Sequence, residues 1–229
     1  MRACFHVDSV ICDMDGVVTN TMPDHYHAWK VIFKEEGLSV TYEDIYKREG
    51  QPGLSSVKEI FRDYRRDFDH QAAVNILKRK EELFKTIVRA RFILGARTFL
   101  KSLRKNNIRL ALVTGTSHHE VHKILPSSVR DLFTTIITGN DVKRGKPHPE
   151  PYLKSLKTLK IKPSQAVVIE NAPFGIRSAK RAGLRCLALE TSLPKKYLGE
   201  ADMVFSSIRE LRERTDFVAR PLFQKSELS

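Results

Sequence analysis

The chain has 229 residues, 41% of them hydrophobic, and a formal net charge of +13. That length supplies one large domain, or a core domain with a smaller insertion, and a sizeable buried core. No apolar run approaches the ~20 residues a membrane helix needs, so no membrane-spanning helix is expected.

The first residues, MRACFHVDSVICDMDG, hold no apolar stretch ending in a small-residue cleavage site, so a soluble cytoplasmic protein is expected. Cys4, Cys12 and Cys186 have no metal-binding spacing and cannot all pair; Cys12 and Cys186 sit in apolar runs as small hydrophobes, which fits a reducing compartment. The basic excess favours anionic partners. It is scattered, as Lys78-Arg79-Lys80, Arg104-Lys105 and Lys195-Lys196, and no aromatic platform or reading helix accompanies it. A solvated basic surface is expected, with neither a nucleic-acid nor a membrane partner.

In chain order, the first buried strand is predicted at Ser9–Cys12. Met22 to Phe92 then shows helical periodicity and no strand: Ala28, Trp29, Ile32 and Phe33 fall on one face, and Ile76, Leu77, Leu83, Phe84, Ile87 and Val88 on another. Gly37, the Gly50–Gly53 turn and Asp67–His70 separate its pieces. Beyond it a helix is predicted over Ala96–Lys105, with Phe99, Leu100 and Leu103 on one face and Asn106-Asn107 as its stop. Strands follow at Ile108–Val113 and Thr135–Thr138, then a helix at Pro149–Leu159 with proline in its first turn. Another strand is predicted at Ala166–Ile169, a helix at Phe174–Ala182 capped by Gly183, and strands at Leu184–Leu189 and Met203–Phe205. From about Arg212 the chain is polar and basic, with Phe217, Val218, Leu222 and Phe223 as its only anchors. Strands alternating with helices argue for a parallel sheet covered on both faces.

In an open parallel sheet, groups that act on a ligand gather at the carboxyl ends of the strands. There this chain puts Asp13 and Asp15, then Thr114-Gly115-Thr116-Ser117, then Gly145-Lys146-Pro147, and then Glu170-Asn171. Carboxylates this close are costly to bury without a counter-charge. Oxygen-only ligands with few neighbours suit Mg²⁺, which usually shares a phosphate oxygen. Lys146, Thr114 and the backbone near Gly115 are candidates to hold phosphoryl oxygens, Asp13 to attack, and Asp15 to handle protons.

These residues carry a resemblance. Asp-Met-Asp-Gly-Val at 13–17, Thr-Gly-Thr at 114–116, Gly-Lys-Pro at 145–147 and Val-Ile-Glu-Asn-Ala-Pro-Phe-Gly-Ile at 168–176 match, in order, the four motifs of the haloacid dehalogenase superfamily. The helical insert, and Thr21, His25 and Ala28-Trp29-Lys30 within it, resemble the cap of the β-phosphoglucomutase-like branch. The resemblance implies an α/β fold with a Rossmann-like parallel sheet core at 1–20 and 93–229, and an all-helical cap at 21–92. It implies Asp13 as nucleophile through an aspartyl-phosphate and Asp15 as general acid and base. Mg²⁺ would be held by Asp13, the Asp15 carbonyl and the Glu170/Asn171 pair. Asn171 departs from the family's usual Asp, and weaker Mg²⁺ binding is expected from it.

A phosphatase is the expected reaction, with a sugar-phosphate mutase and then a catalytically weak phospho-ligand sensor as alternatives; a small phosphorylated metabolite, a sugar phosphate or nucleotide, is the expected substrate of a monomeric enzyme. A mutase grips a second phosphate with a cap arginine, and Gly53-Leu54-Ser55-Ser56 puts Ser56 at that place, where a hydroxyl cannot replace a cationic fork. Arg48 and Lys80 are the cap cations that could reach in, or are plain surface charges. His25 either orients Asp15 or makes a structural hydrogen bond. Ser117-His118-His119-Glu120-Val121-His122 lacks the HExxH order, so a zinc protease is excluded and a polar helix face is expected. Trp29 is read as cap packing, and Asp141 as loop polarity or a residue near the crevice mouth.

Overall fold

The computed structural model describes residues 2–67 and 69–221. In chain order these form β1 (Ala3–Val7), β2 (Ser9–Cys12), α1 (Met22–Glu35), α2 (Tyr42–Tyr46), α3 (Gly53–Asp63), α4 (His70–Ile87), α5 (Ala96–Lys105), β3 (Arg109–Val113), α6 (His118–Ile124), α7 (Ser127–Arg130) and β4 (Thr135–Ile137). Then come α8 (Glu150–Leu159), β5 (Ala166–Glu170), α9 (Pro173–Arg181), β6 (Arg185–Leu189), β7 (Met203–Phe205), α10 (Ile208–Arg214) and β8 (Thr215–Ala219).

Six strands pair in parallel in the order β4-β3-β2-β5-β6-β7. The central strand β2, all four residues buried, aligns Val10 with Leu110 on one side and Val167 on the other. Because side chains alternate along a strand, Val10 and Cys12 face one layer and Ile11 the other. The first layer is closed by Phe99, Leu100 and Leu103 of α5, Val121 and Ile124 of α6, and Ile208 and Leu211 of α10. Tyr152, Leu156 and Leu159 of α8 and Ile176 and Ala179 of α9 close the second. Burying each such side chain contributes about 1.5–3 kcal/mol. Chain order reverses between β2 and β5, so the crevice outside their carboxyl ends is the switch point of the sheet.

The helices α1–α4 lie between β2 and α5 and have their own core of Trp29, Ile32, Phe33, Val57, Ile60, Ala73 and Ile76. Backbone hydrogen bonds from Asn20 N to Arg91 O (2.9 Å) and from Ile93 N to Val18 O (3.1 Å) draw the two connecting segments side by side. Among the described residues no helix is long and apolar enough to cross a membrane.

One element departs from the sequence reading. β1 and β8 pair in parallel as a separate two-stranded sheet, with Phe5 stacked on Phe217 at 5.5 Å. The polar, basic tail expected from Arg212 therefore begins as the end of α10 and a strand. Only Phe5 and Val7 of β1 are fully buried, too short an alternation to stand out, and its partner lies some two hundred residues away in the chain. Leu222 and Phe223, expected as anchors, lie outside the described residues.

Candidate active site

β2 ends in a turn that folds back over Met14. The Met14 carbonyl accepts from Val18 N (2.9 Å) and Thr19 N (2.8 Å), while Asp13 N donates to Ile169 O of β5 (3.0 Å). Gly16 takes φ +84°, and a Cβ there would also collide with the Asn171 amide, so only glycine serves. Asp13 and Asp15, each under a tenth exposed, are thereby set at the switch point.

Lys146 joins the parts that the sequence left far apart. Its Nζ donates to Asp13 Oδ1 (2.6 Å), Glu170 Oε1 (2.6 Å) and Val113 O (3.1 Å), and its side chain is 2% exposed. Glu170 also accepts from Tyr152 Oη (2.7 Å). A Cβ at Gly175 would fall inside the Glu170 carboxylate, so the start of α9 can lie against it only with glycine at that position. Thr114 Oγ1 accepts from Thr116 N (3.1 Å), shaping the 114–116 loop around open space at Gly115.

Asp15 sits in a different environment. Thr21 Oγ1 donates to its Oδ1, Thr116 Oγ1 to its Oδ2 (3.0 Å), and His25 Nε2 stands 3.8 Å away. Burial pushes its carboxyl up, but these hydrogen bonds and the imidazole outweigh burial and leave it below the usual range. Asp13 goes the other way. Burial, helped by Glu170 and Asp15 and opposed by Lys146, lifts it from 3.8 to about 8. Glu49, half-buried on the α2–α3 loop, is raised well above 4.5 by burial and by the charge of Asp13.

Asp13, Asp15, Glu49 and Glu170 lie near enough to act on one another, and Lys146 reaches only Asp13 and Glu170 of the four, so carboxyls outnumber the cations bonded to them. The Asn171 side chain supplies a second sign of a cation. Its Oδ1 is buried and accepts no hydrogen bond, while its Nδ2 donates to Ser192 Oγ (2.8 Å) and to both oxygens of Glu49 (3.1 Å each). An oxygen left bare among carboxylates fits a hard divalent ion. Among the described residues no three His, Cys, Asp or Glu side chains form a metal cluster by themselves. A cation beside Asp13 would also draw its carboxyl back down.

The cleft above these groups has a volume of about 180 Å³. Asp13, Asp15, Thr114, Gly115 and Thr116 form its floor; Trp29, Ile45, Ile60 and Leu77 give an apolar wall and Ser56, Gln51, Glu81 and Glu120 a polar one. Glu170 and Asn171 lie buried beneath, and Lys146 opens into the adjoining recess beside Gly50 and Gly145. Lys80 Nζ contacts His25 Nδ1 (3.0 Å) between the rings of Trp29 and Phe84, and burial lowers it to about 8. Burial, with Lys80 adding to it, lowers His25 below 6.5, so its imidazole is neutral at pH 7.

Arg48 reaches the cleft wall, but its guanidinium is held by Asp63, by Glu59 (Nε to Oε2, 3.2 Å) and by Asp44 O (2.6 Å). Trp29 packs on Phe33 at 5.1 Å and also lines the cleft. His118 and His122 stack on an exposed face at 4.4 Å, and Asp141 caps Thr138. The sequence reading missed Glu49, Gln51, Glu81 and Ser192, which sit on loops and a helix whose approach to β2 no local pattern reveals. Thr116 was legible within its motif, and Glu120 was read only as part of a helix face.

Four motifs thus stand at the ends of adjacent parallel strands and converge on one buried lysine. The pattern described as Haloacid dehalogenase-like hydrolase matches residues 10–189. The chain belongs to this family. The haloacid dehalogenase-like chain is 31% identical over 205 residues to validoxylamine A 7'-phosphate phosphatase of Streptomyces hygroscopicus subsp. limoneus, covering 87% of this chain and 93% of that one. It is 31% identical over 186 residues to a phosphorylated carbohydrates phosphatase of Thermotoga maritima, covering 78% and 82%. A provisionally named β-phosphoglucomutase of Bacteroides vulgatus superposes with a TM-score of 0.80 at 32% identity, covering 92% of this chain and 88% of that one. The parallel sheet and the helical cap are those of the β-phosphoglucomutase-like haloacid dehalogenase hydrolases.

Proposed function

We propose that this chain is a Mg²⁺-dependent phosphatase that hydrolyses a small phosphorylated carbohydrate through an aspartyl-phosphate on Asp13. The observation that carries this reading is the Lys146 bridge, which binds Asp13 and Glu170 at 2.6 Å each under a cleft of small-molecule size.

Asp13 Oδ attacks phosphorus opposite the leaving oxygen. The phosphorus–oxygen bond breaks, and Asp15 gives the leaving alkoxide a proton. Asp15, low in pKa and held by Thr21 and Thr116, takes that proton up with the bound substrate. In the second half it accepts a proton from water as the water attacks phosphorus, and phosphate leaves with Asp13 restored. Lys146, Thr114 Oγ1 and the Gly115 amide region hold the phosphoryl oxygens. Asp13, the Asp15 carbonyl and Asn171 Oδ1 would hold Mg²⁺, with Glu170 beside them. Bound there, the ion neutralises phosphoryl charge and keeps Asp13 ionised. His25, fixed by Lys80 and stacked on Phe84 at 3.9 Å, positions Asp15.

The leaving group is read by the cap. A C–H face against Trp29 and hydroxyls toward Gln51, Glu81 and Glu120 suit a sugar or polyol, in line with the phosphorylated carbohydrates phosphatase among the relatives. A second phosphate finds little to hold it, since Arg48 is occupied by Glu59 and Asp63, Ser56 carries no charge, and Lys80 is tied to His25. The likeness to a β-phosphoglucomutase favours the mutase as the second reading. A panel of phosphorylated metabolites, scoring free phosphate separately from isomerised sugar phosphate, tests the choice. Phosphate without isomer is expected; isomer formed only with a bisphosphate primer would establish the mutase.

A further inference from the structure

The Asn171 side chain has only one amide nitrogen, and that nitrogen is doubly engaged. Glu49 accepts from it with both oxygens, and Ser192 Oγ is 2.8 Å away. The nitrogen faces Glu49, and the carbonyl oxygen of the same amide is left buried and unpaired. Ser192 belongs to the core, whereas Glu49 arrives from the α2–α3 loop of the cap, between Arg48, which Asp44, Glu59 and Asp63 pin, and Gly50, which lies against the Lys146 side chain.

An Asp at position 171 would face the Glu49 carboxyl oxygen to oxygen. With Asn171 the amide nitrogen and Glu49 close on each other. Resting on the Mg²⁺-dependent reading above, we infer that Glu49 orients the Asn171 amide as a metal ligand, so that Mg²⁺ affinity depends on the cap being closed. Removal of an outer carboxylate that orients a ligand weakens metal binding roughly ten- to a hundredfold.

The test is MgCl₂ titration of the full chain by calorimetry without substrate, with hydrogen exchange of peptides covering 45–53. Glu49→Gln and Glu49→Ala are expected to weaken Mg²⁺ binding at least tenfold, and Mg²⁺ to protect the 45–53 peptides in the wild type but in neither variant. Asn171→Asp is expected to lower the melting temperature in EDTA more while Glu49 is present than in the Glu49→Gln background. The double variant is expected to bind Mg²⁺ as tightly as the wild type with no protection of the cap loop. If the single Glu49 variants do not fold, the Asn171→Asp pair carries the same comparison. Mg²⁺ affinity within twofold of wild type in both Glu49 variants, or protection confined to the 13–16 and 170–172 segments of the wild type, overturns the inference. Failure of the phosphatase reading has its own signature: no phosphoester is turned over although the Mg²⁺ pattern holds.

Discussion

Replacing Lys146 by Met keeps most of its volume and removes its charge. In the native protein Nζ is the cation shared by Asp13 and Glu170, and both carboxylates are nine-tenths or more buried. Breaking a buried pair from one side leaves uncompensated charge and costs about 3–5 kcal/mol. For a domain of this size that corresponds to a loss of roughly 6–20 °C in melting temperature. The loss has a pH signature. Without the ammonium, Asp13 holds its proton still more readily in the folded state than in the unfolded chain, so the deficit shrinks in acid and grows as pH rises. Thermal unfolding in EDTA at pH 5 and pH 8 is the assay. A shift of under ~2 °C at pH 8, or an equal shift at both pH values, would refute the reasoning that Lys146 offsets buried negative charge that grows with pH.

The remaining predictions concern other parts of the account. The folded protein in EDTA retains a proton on Asp13, raised from 3.8 to about 8, that the unfolded chain has released. Stability in urea should therefore fall across that window by up to ~1.4 kcal/mol per pH unit, and MgCl₂ should flatten the slope. Asp15→Asn keeps the shape and loses proton transfer, so kcat should drop by roughly 10²–10⁴-fold with folding intact by circular dichroism. Gly175→Ala should abolish turnover and lower the melting temperature, because a Cβ there displaces the Glu170 carboxylate. Phe217→Ala, which removes the ring packed on Phe5 and Phe99, should cost about 3 kcal/mol in urea unfolding and leave kcat unchanged.

The sheet was legible because its strands are buried on both faces and read as short apolar runs; Ser9–Cys12 and Met203–Phe205 match residue for residue. Helix ends were legible where a residue type has one purpose, as with Gly183 at φ +76° after α9. The β1–β8 pair was not, since a half-exposed strand signals weakly and its partner lies at the far end of the chain. In the site, Asp13, Asp15, Thr114, Lys146 and Glu170 could be gathered by a topological rule alone, each following a strand. Arg48 shows where such reading stops. A cap arginine beside the crevice invites a phosphate contact, yet Glu59 and Asp63 fold back and occupy it. Glu49, its neighbour in the chain, is the residue that reaches the core, and only the packing of the cap distinguishes the two.

The account stands on Asp13 becoming phosphorylated during turnover. Acid quenching within the first turnover on a ³²P-labelled sugar phosphate, followed by peptide mapping, measures this directly. The peptide containing Asp13 should carry label that decays as phosphate appears, and Asp13→Asn should carry none. Phosphate released at full rate with no labelled protein at any time, or with label on a different residue, would contradict it.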